Sequence, residues 1–159
     1  MPTIDFTTEI AAPRERVFDL SRSIDLHSAS LSRSKEQAIA GVTSGLIGLG
    51  EEVTWRARHF GVWFKLRVRI SEFEWPIHFA DVMVAGPFRR VEHHHYFAEV
   101  PAGTEMRDVF SFAAPFGIIG RIVDTLFLER HMRALLIERN HALKAVAESD
   151  DWRRYFAAE

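Results

Sequence analysis

The segment FGIIGRIVDTLFLERHMRALLIERNHALKAVA, from Phe116 to Ala147, decides the fold of this chain. It is rich in Leu, Ala, Arg and Glu and contains no proline, a composition that favours helix. Pro115 and Gly117 mark the turn that leads into it. Strand patterns fill most of the chain before it, and a long amphipathic helix after a series of strands predicts a curved sheet folded around that helix.

The apolar residues of this segment form two stripes, whose directions differ by more than about 90° on a helix that turns about 100° per residue. One stripe runs from Ile118 to Phe127 and the other from Leu128 to Val146. We therefore predict a short helix that leads into a longer one, with a break or bend near Phe127 to Arg130. The alternative is one helix whose middle is buried on two sides. We also predict that Phe127 is buried against the sheet.

The composition is that of a soluble globular domain. The 159 residues are 47% hydrophobic and 26% charged, which is enough for one domain with a core. A formal net charge of −2 predicts no nucleic-acid partner, because such partners require a basic surface. The absence of cysteine excludes disulfides, zinc–thiolate sites and cysteine catalysis. No segment has the pattern of a signal peptide or membrane span, so we expect a cytoplasmic monomer or homodimer that is not an integral membrane protein.

Strands and two short helices precede the long segment. Thr3–Ala11 alternates as a half-buried strand, and Pro13 begins a helix over Arg14–Ser21. A second small helix is expected around Ile24–His27. Six more strands are predicted over 37–42, 51–60, 64–73, 78–85, 89–99 and 105–113. The order β-α-α-β-β-β-β-β-β-α predicts a single α+β domain.

Carboxylates and imidazoles share one face of the last strands. Neighbouring strands of a hairpin keep their faces in phase, so this face is aromatic with two carboxylates and two imidazoles embedded in it, whereas His94 lies on the opposite face. The 13 phenylalanines and 4 tryptophans fit either a large dry core or a lined pocket. The side chains assigned to this inner face are Phe79, Asp81, Met83, His93, His95, Phe97, Met106, Asp108 and Phe110, with Trp55 and His59 from an earlier hairpin.

The cluster of Asp81, His93, His95 and Asp108 has several interpretations. It is a sealed internal network, since a buried carboxylate needs a partner and an imidazole supplies one, or it is the polar end of a ligand cavity. A catalytic version would use one histidine as general acid or base, tuned by its aspartate. A metal site is a further alternative, because His93 and His95 with His59 or Asp81 resemble a two-histidine, one-carboxylate ligand set. We expect no metal and no cofactor.

The chain resembles the START-like, or SRPBCC, superfamily, which includes the birch-pollen allergen group, polyketide cyclases and lipid-transfer START domains. The motif I-x-A-P-x-E-x-V-F-x-L (Ile10 to Leu20), the strands and the long last helix carry this likeness. Where the common form has a tryptophan after the first helix, this chain has Asp25-Leu26-His27. The segments that resemble a bacterial ligand-binding subgroup of unknown substrate are GVTSGLIGLGEEVTWRARHFG (41–61), FADVMVAGPF (79–88), HHHYF (93–97) and PFGIIGR (115–121).

The resemblance implies an α+β helix-grip fold. A seven-stranded curved antiparallel sheet would surround the long C-terminal helix, with two short helices after strand 1 and a cavity between sheet and helix. It implies a START-like domain over residues 1–148, followed by a tail over 149–159.

The function implied by the resemblance is binding or transport of a hydrophobic or amphipathic small molecule in that cavity. The alternative is a cyclase- or dehydratase-type enzyme that requires no metal, with His93, His95, Asp81 and Asp108 as candidate catalytic residues. The loop from Gly45 to Gly50 would cover the mouth. The expected walls are Trp55, Phe79, Met83, Phe97, Phe110, Val123 and Phe127, and the expected polar contacts are His59, Asp81, His93, His95 and Asp108.

Overall fold

The computed structural model describes residues 1–115, 117–123 and 127–156. Seven antiparallel strands form one sheet in the order β1-β7-β6-β5-β4-β3-β2. Consecutive strands from β2 to β7 pair as neighbours, and β1 pairs with β7. The strands are β1 (Thr3–Ile10), β2 (Gln37–Gly41), β3 (Glu52–His59), β4 (Val62–Glu74), β5 (His78–Ala85), β6 (Arg90–Val100) and β7 (Gly103–Ala113).

The helices lie at the two ends of the sequence. Two short helices follow β1, and the side chain of Ser23 caps the second by accepting a hydrogen bond from the Leu26 amide at 3.2 Å. Among the described helices, none is long and apolar enough to cross a membrane. The helices are α1 (Arg14–Ser21), α2 (Ile24–Ser30), α3 (Gly117–Val123), α4 (Glu129–Ala147) and α5 (Arg153–Phe156), with 3-10 turns at Ser32–Ser34 and Asp150–Trp152.

The core consists of two clusters on the inner face of the sheet. Phe18 of α1 is fully buried in the first, with its ring edge-on to Phe79 at a centroid distance of 5.2 Å. Leu143 of α4 belongs to the same cluster. The second cluster contains Phe110 and Leu136, which join β7 to the middle of α4. The sheet therefore holds α4 across its concave side, and the predicted helix-grip fold is confirmed.

Helix α3 covers Gly117–Val123 and α4 covers Glu129–Ala147, and Phe127 and Leu128 lead into α4 with π-helical geometry. Residues 124–126 lie outside the described residues, so the predicted break or bend of the last helical segment stays a prediction. The prediction that Phe127 is buried against the sheet is wrong. Its side chain is 57% exposed, and its ring lies 5.1 Å from that of Phe60, at the tip of the β3–β4 hairpin. Ile118, in the same apolar stripe, is also exposed. The apolar stripe of α4, which includes Leu136 and Leu143, is the one that faces the sheet.

Candidate functional site

A cavity of about 300 Å³ lies between the inner face of the sheet and α4. The sheet wall comes mainly from β3 and β4, where alternation turns every second side chain inward. The opposite wall is the apolar stripe of α4. The apolar residues that line the cavity include Trp55, Ala57, Phe64, Leu66, Val91 and Phe110 from the sheet and Leu128, Met132, Leu135 and Leu136 from the helical segment.

Two pairs of polar side chains interrupt this apolar lining. His59 Nδ1 of β3 lies 3.1 Å from His131 Nε2 of α4, so one ring donates a hydrogen bond to the other. Burial lowers the pKa of His59 and of His131, which favours neutral rings at neutral pH. The second pair is His27 and Glu36, with His27 Nε2 2.7 Å from Glu36 Oε1. The His27 ring also stacks on Trp55 at a centroid distance of 4.2 Å.

Beneath the cavity lies a fully buried carboxylate, Asp108 of β7. The β6–β7 register places Asp108 opposite His95. Asp108 Oδ1 accepts a hydrogen bond from His93 Nε2 at 2.8 Å. His95 Nδ1 lies 3.0 Å from the same oxygen, but off the line of a hydrogen bond. From α4, Asn140 Nδ2 donates to Asp108 Oδ2 at 2.6 Å, and Arg139 Nη1 lies 3.5 Å from Oδ1.

Burial and neighbouring charges determine the protonation states of Asp108 and His93. Burial alone would raise the pKa of Asp108, but its contacts with His93 and His95 outweigh burial and hold that pKa well below the usual range. Burial, together with the charge of the neighbouring His95, lowers the pKa of His93 to about 4. Asp108 is therefore ionised and His93 neutral at neutral pH.

A smaller pocket of about 90 Å³ adjoins the cavity. Asp81, His93 and His95 line it, and His95 Nε2 lies 3.3 Å from Asp81 Oδ2. Burial would raise the pKa of Asp81, but the hydrogen bond with His95 and the charges of the two imidazoles lower it. His27, Trp55 and Arg139 line both the cavity and this pocket.

The structure separates the predicted site residues into three groups. Trp55, His59 and Phe110 line the large cavity. Trp55, Phe79, Asp81, His93 and His95 line the small pocket. Four others line neither: Phe97 packs against Phe18 in the core, Met83 packs against the second core cluster, Asp108 is enclosed, and Phe127 is exposed. The side chain of Val123 lies outside the described residues.

The loop from Gly45 to Gly50 was expected to cover the mouth of the cavity, and it takes a different position. The Ile24 amide donates to the Gly45 carbonyl at 2.9 Å, and the Ile47 amide donates to the Arg22 carbonyl at 3.2 Å. Ile47 is buried and lines the small pocket. The loop is therefore anchored to the α1–α2 connection, beside the pocket.

Sequence reasoning missed three polar residues of α4: His131, Arg139 and Asn140. Arg139 and Asn140 stand three and four residues after Leu136, in positions that continue its buried stripe. A polar side chain at a buried position needs a partner, and the partner of both is Asp108. That interruption of the apolar stripe was a usable signal. His131 gave no such signal, because its contact with His59 depends on how the helix sits over the sheet.

No protein-family model and no curated protein matches this chain. Solved structures do match it. The protein TTHA0849 from Thermus thermophilus superposes with a TM-score of 0.74 at 17% identity, covering 91% of this chain and 95% of that one. This chain has a START-like fold. Major latex-like protein 151 from Panax ginseng shares that START-like fold, with a TM-score of 0.67 at 10% identity over 93% of this chain and 98% of that one. Ara h 8.0201 has a TM-score of 0.63 at 10% identity, over 91% and 98%.

Proposed function

We propose that this protein binds a hydrophobic or amphipathic small molecule in the cavity between the sheet and α4. The observation that carries the proposal is the cavity itself, which is about 300 Å³ in volume and apolar over most of its wall. Ligand sites in proteins are typically about 300–1,000 Å³, mainly apolar, and have a few polar groups that fix orientation. We place this function in the cytoplasm, in a monomer or homodimer.

The polar end of the ligand would lie beside Arg139. This side chain is 5% exposed and lines both the cavity and the small pocket. Its guanidinium donates to the Ser21 carbonyl at 3.2 Å and stands 3.5 Å from Asp108. Arginine has five N–H donors, so beside its existing partners it can donate a further hydrogen bond to a carbonyl or carboxylate oxygen of a ligand. The apolar body of the ligand would contact Leu135 and Phe110.

A larger side chain in the cavity wall should weaken ligand binding. Leu135→Trp places a larger side chain in the cavity wall, and we expect it to weaken binding of the fluorescent probe 8-anilinonaphthalene-1-sulfonate by about tenfold or more, equivalent to about 1.4 kcal/mol. The measurement is a fluorescence titration of each variant at constant protein concentration.

The matched control is Ile137→Trp, two residues along α4, where the side chain is 37% exposed. This variant should bind the probe with an affinity close to that of the parent protein. Equal affinities for Leu135→Trp and the parent would contradict binding in this cavity.

A second candidate function is an enzyme of the cyclase or dehydratase type. The observation that favours it is the His95–Asp81 pair in the wall of the small pocket, next to the cavity. In such an enzyme His95 would transfer a proton to or from the ligand, and Asp81 would orient the ring. Binding without reaction is the simpler function, because the cavity alone suffices for it.

The two functions differ in what happens to a molecule that copurifies with the protein. We expect native mass spectrometry to detect such a molecule and its mass to stay unchanged during prolonged incubation with the protein. A change in its mass that requires His95, and is lost in His95→Gln while binding persists, would favour the enzyme instead.

A further inference from the structure

We propose that Asp81, His93 and His95 bind a divalent transition-metal ion, and that Zn²⁺ is the ion their ligand set fits. One carboxylate oxygen of Asp81 and one ring nitrogen of each histidine lie within 4.8 Å of one another. Two histidines and one carboxylate form a zinc ligand set that leaves the fourth tetrahedral position for water or a substrate atom. This inference does not depend on the proposed ligand cavity.

The distance between two of these groups already suits a metal ion. His95 Nε2 and Asp81 Oδ2 are 3.3 Å apart. Two ligands that each lie about 2.0 Å from a tetrahedral ion are separated by about 3.3 Å. The contact is long for a hydrogen bond between these atoms, so the pair has the spacing of two ligands of one ion.

His95 is also poorly satisfied for a buried side chain. It is 2% exposed, its Nδ1 has no hydrogen-bond partner in the part of the chain that the structure describes, and its Nε2 has the long contact with Asp81. Buried polar atoms are nearly always hydrogen-bonded, and one that is not calls for an explanation. A cation bound at Nε2 would replace the long contact with Asp81 by a bond to the ion and would fix the ring proton on Nδ1, the nitrogen that lies 3.0 Å from the Asp108 carboxylate.

Asp108 supplies the outer support that metal-binding histidines usually have. One of its oxygens lies 2.8 Å from His93 Nε2 and 3.0 Å from His95 Nδ1. A carboxylate on the far nitrogen of a histidine fixes the orientation of the ring and strengthens the other nitrogen as a ligand. Asp108 is held in turn by Asn140, so the His93 ring is fixed by its hydrogen bond before any ion binds.

The charges around the pocket are compatible with a bound cation. Asp108 is balanced by Arg139 at 3.5 Å. Arg22 also lines the pocket, but its Nε donates to Asp19 at 2.8 Å. Arg139 also lines the pocket, and its charge helps to lower the pKa of Asp81. Among the described residues, however, the ion-pair contact of Asp81 is with the His95 imidazole and not with a guanidinium, so a bound cation would neutralise the carboxylate.

A second group of potential ligands provides an internal control. Glu72, His78 and His94 also bring their ligand atoms within 4.8 Å of one another, on the outer face of the sheet. There His94 already uses both ring nitrogens, one 3.1 Å from His78 and the other 2.7 Å from Glu92. We therefore assign the metal to the inner group and use the outer group as the reference.

The test is a titration with Co²⁺, whose visible absorption reports tetrahedral coordination, followed by displacement with Zn²⁺. We expect one equivalent to bind to the parent protein and to the double variant His78→Ala/His94→Ala. Asp81→Asn and His95→Gln should each bind Co²⁺ at least about tenfold more weakly, since even outer-shell changes cost about 10–100-fold in affinity. Circular dichroism and thermal unfolding establish that each variant is folded.

A measurement on the unchanged protein keeps the test independent of folding. Histidine ring ¹⁵N resonances of His93 and His95 should shift on addition of Zn²⁺, while those of His78 and His94 stay in place. The proposal is overturned if the parent protein binds no Co²⁺, or if Co²⁺ binding is lost in the double variant His78→Ala/His94→Ala. Shifts confined to His78 and His94 would overturn it as well.

Discussion

Replacing Asp108 by asparagine is expected to lower the free energy of unfolding by about 3–5 kcal/mol, the usual cost of removing one partner from a buried charged pair. Asp108 is fully buried and in contact with His93, His95, Arg139 and Asn140. A neutral amide has one acceptor oxygen and cannot serve these donors together. The guanidinium of Arg139 would then lack its buried counter-charge. Urea denaturation at neutral pH measures the difference.

The control for this substitution is Asp5→Asn. Asp5 is an exposed strand residue whose carboxylate pairs with Arg107 at 2.6 Å. Exposed ion pairs contribute little to stability, so this variant should unfold at nearly the same urea concentration as the parent. If Asp108→Asn and Asp5→Asn were equally stable, the buried network would not be holding α4 to the sheet.

Acidification is expected to destabilise the protein through His93. The pKa of His93 is lowered to about 4 in the folded state, first by burial and then by the charge of His95. Its ordinary value is about 6.5, so the unfolded chain binds the proton first as the pH falls. The stabilising contribution of His93 to the free energy of unfolding is therefore fully present above about pH 6.5. It is lost as the pH falls from about 6.5 to 4, by about 3 kcal/mol in total. His59 and His131 act in the same direction, because burial lowers the pKa of each.

The measurement is the free energy of unfolding as a function of pH, for the parent protein and for His93→Asn. The variant keeps a hydrogen-bond donor toward Asp108 but does not titrate, so its curve should be flatter than that of the parent between about pH 6.5 and 4. His141→Asn removes an exposed histidine of α4 and should leave the curve of the parent unchanged. Parallel curves for the parent and His93→Asn would contradict a neutral buried His93.

The fold could be predicted because local patterns specify it. Alternation along the strands sets which side chains face inward, and the predicted inner face is the one that is buried: His93, His95, Phe97 and Asp108 are all buried, whereas His94 hydrogen-bonds on the outer side. The two apolar stripes of the last helical segment point in different directions, and Leu136 and Leu143 of the second stripe are buried whereas Ile118 and Ile119 of the first are exposed. The pattern does not say which of the two stripes packs on the sheet, and the prediction for Phe127 was wrong for that reason.

The division between cavity and core could not be predicted from alternation. A strand pattern gives the face of a side chain but not how much space remains above it. Over Asp108 that space is filled by Arg139 and Asn140, which close the cluster from above. Over Trp55 and Phe110 the helix presents leucine and methionine side chains that leave the cavity open. The register between helix and sheet, which decides this, is a property of tertiary packing.

The most direct test of a ligand site between the sheet and α4 uses the methionine methyl groups. The chain has 4 methionines, of which Met132 lines the cavity, Met106 is fully buried in the core and Met1 is exposed. In a protein labelled with ¹³C at these methyls, addition of 8-anilinonaphthalene-1-sulfonate should shift the Met132 resonance and leave that of Met106 unchanged. A probe that binds but leaves the Met132 resonance in place would contradict binding in this cavity.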